Sequence, residues 1–191
     1  MKRETTAPRT GSAGVRIIGG THKRSKIDVL VRDGLRPTPS RVRETLFNWL
    51  APAVPGARVL DCYAGTGTLG MEALSRGAAH CTFIEKDPTV CRHLESHLHR
   101  FQWTDRATVL SGDVLSQNAT LVATADLIFA DPPFHYGLAQ AFLTWIRPQV
   151  RPDSRVMIEC ERTETLDLSG FEVLKTLNAG QDSVRLLRAL S

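Results

Sequence analysis

Asp131-Pro132-Pro133-Phe134 joins a carboxylate, two rigid rings and an aromatic side chain behind an apolar run from Ala125 to Ala130. The run reads as a buried strand that ends at the acid. These residue types at a strand's carboxyl edge suit one task, the handling of a flat, weakly nucleophilic amine. Asp131 accepts one hydrogen from the amine, the carbonyl of Pro132 accepts another, and Phe134 stacks on the ring that bears it. Asp-Pro and Pro-Pro are also ordinary turn dipeptides, so alone the motif reads equally as a loop opener. Its position behind a second motif favours the chemical reading.

The second motif is Asp61-Cys62-Tyr63-Ala64-Gly65-Thr66-Gly67-Thr68-Leu69-Gly70. A short strand is expected before it, over Ala57 to Leu60. Leu69, Ala73 and Leu74 then keep helical spacing until Gly77 stops the helix. Strand, glycine turn and helix open a nucleotide-binding βαβ unit. Gly65-x-Gly67-x-x-Gly70 also fits the dinucleotide fingerprint, which is weak by itself and keeps a nicotinamide-dependent oxidoreductase as an alternative. Two details oppose a pyrophosphate. An acid and three further residues precede the first glycine, whereas dinucleotide folds place glycine at once after the strand. The acid also repels phosphate and accepts hydrogen bonds from a cationic, amine-bearing ligand. S-adenosylmethionine is such a ligand, with a sulfonium, an α-amino group and no phosphate. The plainer reading of Asp61 is a solvated acid at a strand end.

These motifs need a sheet to position them. Thr82 to Ile84 is β-branched and aromatic and reads as the next strand. Glu85 at its tip is placed to accept both hydroxyls of a ribose. Asp87 caps a helix that Pro88 opens and that runs to about Arg100. A third strand spans Ala107 to Leu110. Asp113 beyond it reads equally as an acceptor for an adenine amino group or as a helix cap. Leu138 to Ile146 reads as a helix and Arg155 to Cys160 as a fifth strand. Phe171 to Leu177 and Val184 to Ala189 read as a final antiparallel pair.

In this order and spacing the chain resembles the seven-stranded S-adenosylmethionine-dependent methyltransferases, with an acid after each of the first three strands and Asp-Pro-Pro-Phe after the fourth. The N-terminal third narrows the match. Arg16-Ile17-Ile18-Gly19-Gly20, Gly34-Leu35-Arg36-Pro37-Thr38 and the block from Arg41 to Leu50 resemble the bacterial 16S ribosomal RNA guanine-N2 methyltransferases. That likeness runs from about Arg16 to the end. Tyr63 and Thr66 stand where that family often has Phe and Ser. Gly180-Gln181 also matches, but Asp182, Ser183 and Leu186-Leu187 replace the aromatic residues that usually follow.

The resemblance implies an α/β fold. It is a Rossmann-like, seven-stranded, mostly parallel sheet with an antiparallel C-terminal strand and helices on both faces. A small N-terminal β-hairpin and helix are added to it. The implied activity is methyl transfer from S-adenosylmethionine, leaving S-adenosylhomocysteine, to the N2 amine of a guanine in 16S rRNA of the small ribosomal subunit. Around the cofactor the resemblance places Arg36, Thr38, Asp61, Tyr63, Gly65, Gly67, Glu85, Lys86, Asp113, Val114 and Asp131. At the reacting amine it places Asp131, Pro132 and Phe134. No metal is implied, and a cytoplasmic monomer is expected. A DNA adenine-N6 or cytosine-N4 methyltransferase usually needs a separate target-recognition domain, and the chain has no spare length for one. An RNA-binding assembly factor that keeps the fold without turnover is the remaining alternative.

Charge is distributed unevenly. The net charge is +4, yet residues 1–43 carry a balance of +8 and residues 44–191 one of −4. A basic arm on a mildly acidic domain points to a polyanion. Arg16, Lys23, Arg24, Lys26 and Arg32 flank two β-prone stretches, Val15 to Ile18 and Ile27 to Val31, read as a hairpin that lays its charges along RNA phosphates. The bland reading is a solvated hairpin. Residues 1–14 read as a flexible tail, 15–50 as the basic hairpin and helix, and 51–191 as the methyltransferase domain. Thr38 is expected to cap the helix, with Pro39 in its first turn. Val42, Leu46 and Trp49 share its buried face. Arg41 is assigned to RNA, though Arg41 and Arg43 could each face RNA or the core. His93, His97 and His99 read as a polar helix surface. Cys62, Cys81, Cys91 and Cys160 form no Cys-x-x-Cys pair, which fits buried free thiols in a reduced cytosol. No segment is long and apolar enough to span a membrane.

Overall fold

The computed structural model describes residues 14–30, 39–134 and 136–190. Within them a seven-stranded sheet carries the expected order. Its strands are β3 (Arg58–Cys62), β4 (His80–Glu85), β5 (Ala107–Ser111), β6 (Leu127–Ala130), β7 (Arg155–Glu161), β8 (Phe171–Ala179) and β9 (Asp182–Ala189), and they lie in the order β5-β4-β3-β6-β7-β9-β8. The first five in that order pair in parallel, and β9 runs antiparallel between β7 and β8. A separate two-stranded sheet pairs β1 (Gly14–Arg16) with β2 (Lys26–Asp28). The hairpin therefore begins at Gly14, one residue earlier than expected, and its second strand ends at Asp28 rather than Val31.

Apolar alternation sorts the sheet into two faces. Val59, Phe83, Leu127, Phe129 and Met157 point to one side, with helix α1 (Ser40–Trp49), helix α2 (Thr68–Ser75) and helix α3 (Pro88–Arg100). Leu60, Ile84, Ile128, Ala130, Val156 and Ile158 point to the other, toward the short helix α4 (Thr120–Ala123) and helix α5 (Leu138–Ile146). Parallel strands buried on both faces read as nearly continuous apolar runs, as β6 does.

The N-terminal segment belongs to the first of these cores. Ile17, Ile27, Val42, Leu46 and Phe47 are buried with Phe83, Leu94 and Phe129, and the Phe47 and Phe129 rings meet edge to face at 5.9 Å. Helix α1 starts one residue later than expected. Pro39 holds an extended ψ of 144° and stands at the cap position, while Thr38 lies outside the described residues.

A buried charge cluster ties this segment down. Glu72 on α2 accepts from the amides of Ile18 at 2.7 Å and Gly19 at 2.8 Å, and from Arg76 Nε at 2.7 Å. Arg43 on α1 is fully buried, with Nη1 3.8 Å from Glu72 and Nη2 donating to the carbonyl of Arg16 at 3.0 Å. Arg43 thus faces the core, which the sequence left open. Gly20 adopts φ +77°, and a Cβ there would sit 1.8 Å from the carbonyl oxygen of Ser75. Only glycine lets the chain pass so close to α2.

The histidines depart from the expected polar surface. His97 is 3% exposed, and Nε2 of both His93 and His97 lies within 3.1 Å of the Asp28 carbonyl oxygen. They fasten the end of β2 to α3. All four cysteines are buried free thiols.

Candidate active site

The strand order reverses between β3 and β6. In open α/β sheets, ligands bind outside the carboxyl ends of the strands at such a switch point. Cys62 ends β3 in register with Ala130, which ends β6. The glycine turn and Asp131 therefore leave the sheet side by side. β4, next to β3, delivers Glu85 to the same edge, because Cys62 pairs with Ile84.

Asp61 and Glu85 each have a defined structural job. Asp61 is 2% exposed and lies within β3, so it is not the solvated strand-end acid of the plainer reading. Its Oδ2 accepts from the Gly70 amide at 2.8 Å, which docks the first turn of α2 onto the strand. Burial pushes its carboxyl up to about 8, the Gly70 hydrogen bond opposes this, and the charges of Asp131 and Glu85 push it further up. Three carboxylates thus share one corner, which favours a cation over a phosphate. Glu85 braces the turn: Oε2 accepts from the Gly65 amide at 2.9 Å and Oε1 from the Asp87 amide at 2.8 Å. Asp87 in turn caps α3 by accepting from the Thr89 amide at 2.7 Å, as expected.

The turn itself is tight. Gly67 takes φ +74°, and a Cβ on it would approach Leu94 Cδ1 to 2.4 Å. Tyr63 holds φ +58°, an uncommon conformation for a residue with a side chain. Its phenolic oxygen is buried without a hydrogen-bond partner among the described residues. Burial raises its pKa, and the neighbouring Cys62 and Asp113 raise it further. A strained residue with an orphaned hydroxyl beside a glycine turn fits a site built to receive a polar ligand.

Asp113 caps a short 3-10 turn by accepting from the Leu115 amide at 2.9 Å, so the capping half of its reading is realised. Val114 is buried, and Lys86 is exposed. Asp131 and Phe134 are half-buried and Pro132 is buried. Tyr136, two residues beyond Phe134, is 76% exposed. An aromatic ring so close to the motif was a signal that the sequence reading passed over. Glu72 was also passed over, although an acid within the apolar stretch Leu69 to Leu74 marks a buried partner.

The basic residues are spread out. Arg36, Thr38 and Arg32 lie outside the described residues. Arg41, Arg16, Lys23, Arg24 and Lys26 are exposed. Arg16 Nη1 donates to the Arg24 carbonyl at 2.9 Å, and Lys26 pairs with Asp28 at 3.2 Å. The hairpin turn docks on the last turn of α2, with the Thr21 amide donating to the Ser75 carbonyl at 2.8 Å. His22 packs against Trp103 and Phe101, just past the end of α3. Both helices begin at the carboxyl edge of the sheet and end at its amino edge. Lys23 and Arg24 therefore stand at the edge away from Asp131.

Comparison with known proteins agrees with this arrangement. The family model "Conserved hypothetical protein 95" matches residues 15–188. "Ribosomal RNA small subunit methyltransferase D" of Escherichia coli is 46% identical over 131 residues, which cover 69% of this chain and 66% of that protein. The protein of the same name from Haemophilus influenzae is 38% identical over 193 residues, covering 97% of this chain and 98% of its own. The crystal structure of the putative methylase HI0767 from Haemophilus influenzae superposes with a TM-score of 0.80 at 34% identity, over 94% of this chain and all of that one. On this breadth of match, the chain belongs to the family of Conserved hypothetical protein 95 and ribosomal RNA small subunit methyltransferase D.

Proposed function

We propose that this protein transfers a methyl group from S-adenosylmethionine to the exocyclic N2 amine of a guanine in 16S rRNA. The observation that carries the reading is the exit of Asp131-Pro132-Pro133-Phe134 from β6 directly beside the glycine turn after β3. The names of its relatives support rRNA methylation, and the motif chemistry supports an amine as the target.

The chain's residues fit the cofactor. Glu85 supplies negative charge and Asp61 a further acceptor where a phosphate-free cation with ribose hydroxyls would lie, and Gly65 and Gly67 carry no side chain to obstruct it. When bound, the cofactor supplies an electrophilic methyl group on a sulfonium. The rest belongs to the protein. The guanine N2 lone pair is spread into the ring, so the amine is a poor nucleophile. Asp131 and the Pro132 carbonyl accept its two hydrogens, which aims the lone pair at the donor and stabilises the positive charge that grows on nitrogen. The surplus proton leaves to Asp131 or to water. Phe134 stacks on the base, worth roughly 1–3 kcal/mol. A stacked, paired guanine cannot enter, so the target is extruded or lies in a loop. The enzyme acts as a cytoplasmic monomer on the small subunit or its assembly intermediate.

The test is mass mapping of 16S rRNA nucleotides from cells with the gene, without it, and with Asp131→Ala. One guanine mark should vanish in the second and third strains. Purified Asp131→Ala should still bind S-adenosylhomocysteine with nearly wild-type affinity. Retention of every guanine mark without the gene refutes the reading.

A further inference from the structure

A second polar site lies on the α5 side of the sheet's last strands. A hollow of about 440 Å³ is lined by Arg162, just past β7, Arg185 and Ser183 of β9, and Thr176 and Asn178 of β8. Leu168 and Val173 form its apolar wall. Strand alternation explains the gathering. Ser183 pairs with Asn178 and Arg185 with Thr176, and both rows point to the side of α5. Glu161 and Asp182 alternate to the other face, so no acid among the described residues lines the hollow. The Arg162 amide donates to the Gln181 carbonyl at 2.7 Å, which closes the end of β7 against the β8–β9 turn.

Its position relates it to the catalytic edge. Arg185 pairs with Ile158, and Ile158 pairs with Ala130, the residue before Asp131. Two strand spacings separate Arg185 from Ala130, so their backbones are about 10 Å apart. By contrast, Lys23 and Arg24 stand at the far edge of the sheet. The hollow therefore shares the carboxyl edge of the sheet with Asp131, which the hairpin turn does not.

We propose that this hollow binds the sugar-phosphate backbone of the RNA strand that flanks the target guanine. Arg162 and Arg185 take phosphate oxygens, Thr176 and Asn178 add hydrogen bonds, and a ribose lies against Leu168 and Val173. Hydroxyl, amide and guanidinium groups are the usual partners of nucleic-acid backbone. The hollow is open to solvent and has room for a nucleotide as well as a phosphate. The identity of the RNA rests on the function proposed above, but backbone contact is independent of sequence.

The experiment measures binding of the full chain to a single-stranded 16S rRNA fragment, and to an unrelated RNA of equal length, by fluorescence anisotropy from 50 to 200 mM KCl. Each phosphate contact on a single strand contributes about 0.7 to the slope of log affinity against log salt. The double variant Arg162→Ala/Arg185→Ala should lose about 1.4 of that slope on both RNAs. Over the fourfold salt range, the wild type then loses about sevenfold more affinity than the variant. Arg58→Ala makes the same type of charge change at the amino edge of the sheet and should leave the slope alone. If the double variant does not fold, Arg162→Ala, at an exposed position, carries the test with half the change. A wild-type slope in the Arg162 and Arg185 variants, or an equal loss in Arg58→Ala, overturns the proposal. Methyl transfer is assayed separately. Loss of slope in a chain that methylates nothing would keep the hollow and reject the enzyme; active chains with an unchanged slope would do the reverse.

Discussion

Glu72→Gln should detach the N-terminal hairpin from the methyltransferase core. In the wild type, one buried carboxylate serves two backbone amides, Arg76 and the neighbourhood of Arg43. Glutamine can still accept from one amide, but its NH2 group confronts the other donors. Arg43 is then left fully buried with no compensating charge among the described residues. Breaking a buried pair by removing one partner costs about 3–5 kcal/mol. Total stability is typically about 5–15 kcal/mol, so this is a large share of it. For a chain of this size the loss corresponds to a fall in Tm of roughly 6–20 °C. Urea unfolding gives the free energy, and amide hydrogen exchange at Ile18 and Gly19 locates it. One of those two amides loses its acceptor, and as the segment detaches both should lose protection first. The double replacement Arg43→Met with Glu72→Leu removes both charges and should restore much of the loss. A cost under about 1 kcal/mol for Glu72→Gln, with protection at Ile18 and Gly19 unchanged, would show that the cluster does not hold the hairpin.

Two further outcomes follow from the acids of the candidate site. The Asp61 carboxyl titrates near 8 in the folded chain against 3.8 ordinarily, so the folded state holds a proton that the unfolded state has released. Its stabilising contribution is complete below pH about 4 and is lost as pH rises toward 8, by up to about 1.4 kcal/mol per pH unit. Urea unfolding at pH 5 and pH 7 should show this slope in the wild type and a flatter one in Asp61→Asn, and equal slopes would contradict it. Glu85→Ala removes the acceptor for the Gly65 and Asp87 amides, and calorimetry should show S-adenosylhomocysteine binding weakened at least tenfold. An unchanged dissociation constant would remove Glu85 from the cofactor site.

The chemical motifs were legible because they sit where the chain changes direction. Apolar runs ending in Asp131, Glu85 and the Asp61 glycine turn mark strand ends by residue type alone, and the helix from Pro88 to Arg100 shows its cap and first turn in the sequence. Parallel pairing then has few solutions, because right-handed crossovers bring successive carboxyl ends to one edge. The N-terminal third was less legible. Its basic composition suggested an RNA-facing hairpin and left Arg43 open between RNA and core, yet Arg43 is buried, and Lys23 and Arg24 stand at the far edge of the sheet.

The amino-acid order determined the sheet, the glycine turn and the placing of Asp131 through Phe134 at a strand end, because local apolar period, turn residues and side-chain acidity are carried residue by residue. Tertiary structure decided which charges face inward and which residues meet across strands. Glu72 and Ile18 are 54 residues apart, and Arg185 lies in one row with Ala130 only because β9 inserts antiparallel between β7 and β8. Such meetings depend on register and burial across distant segments, which no local pattern encodes.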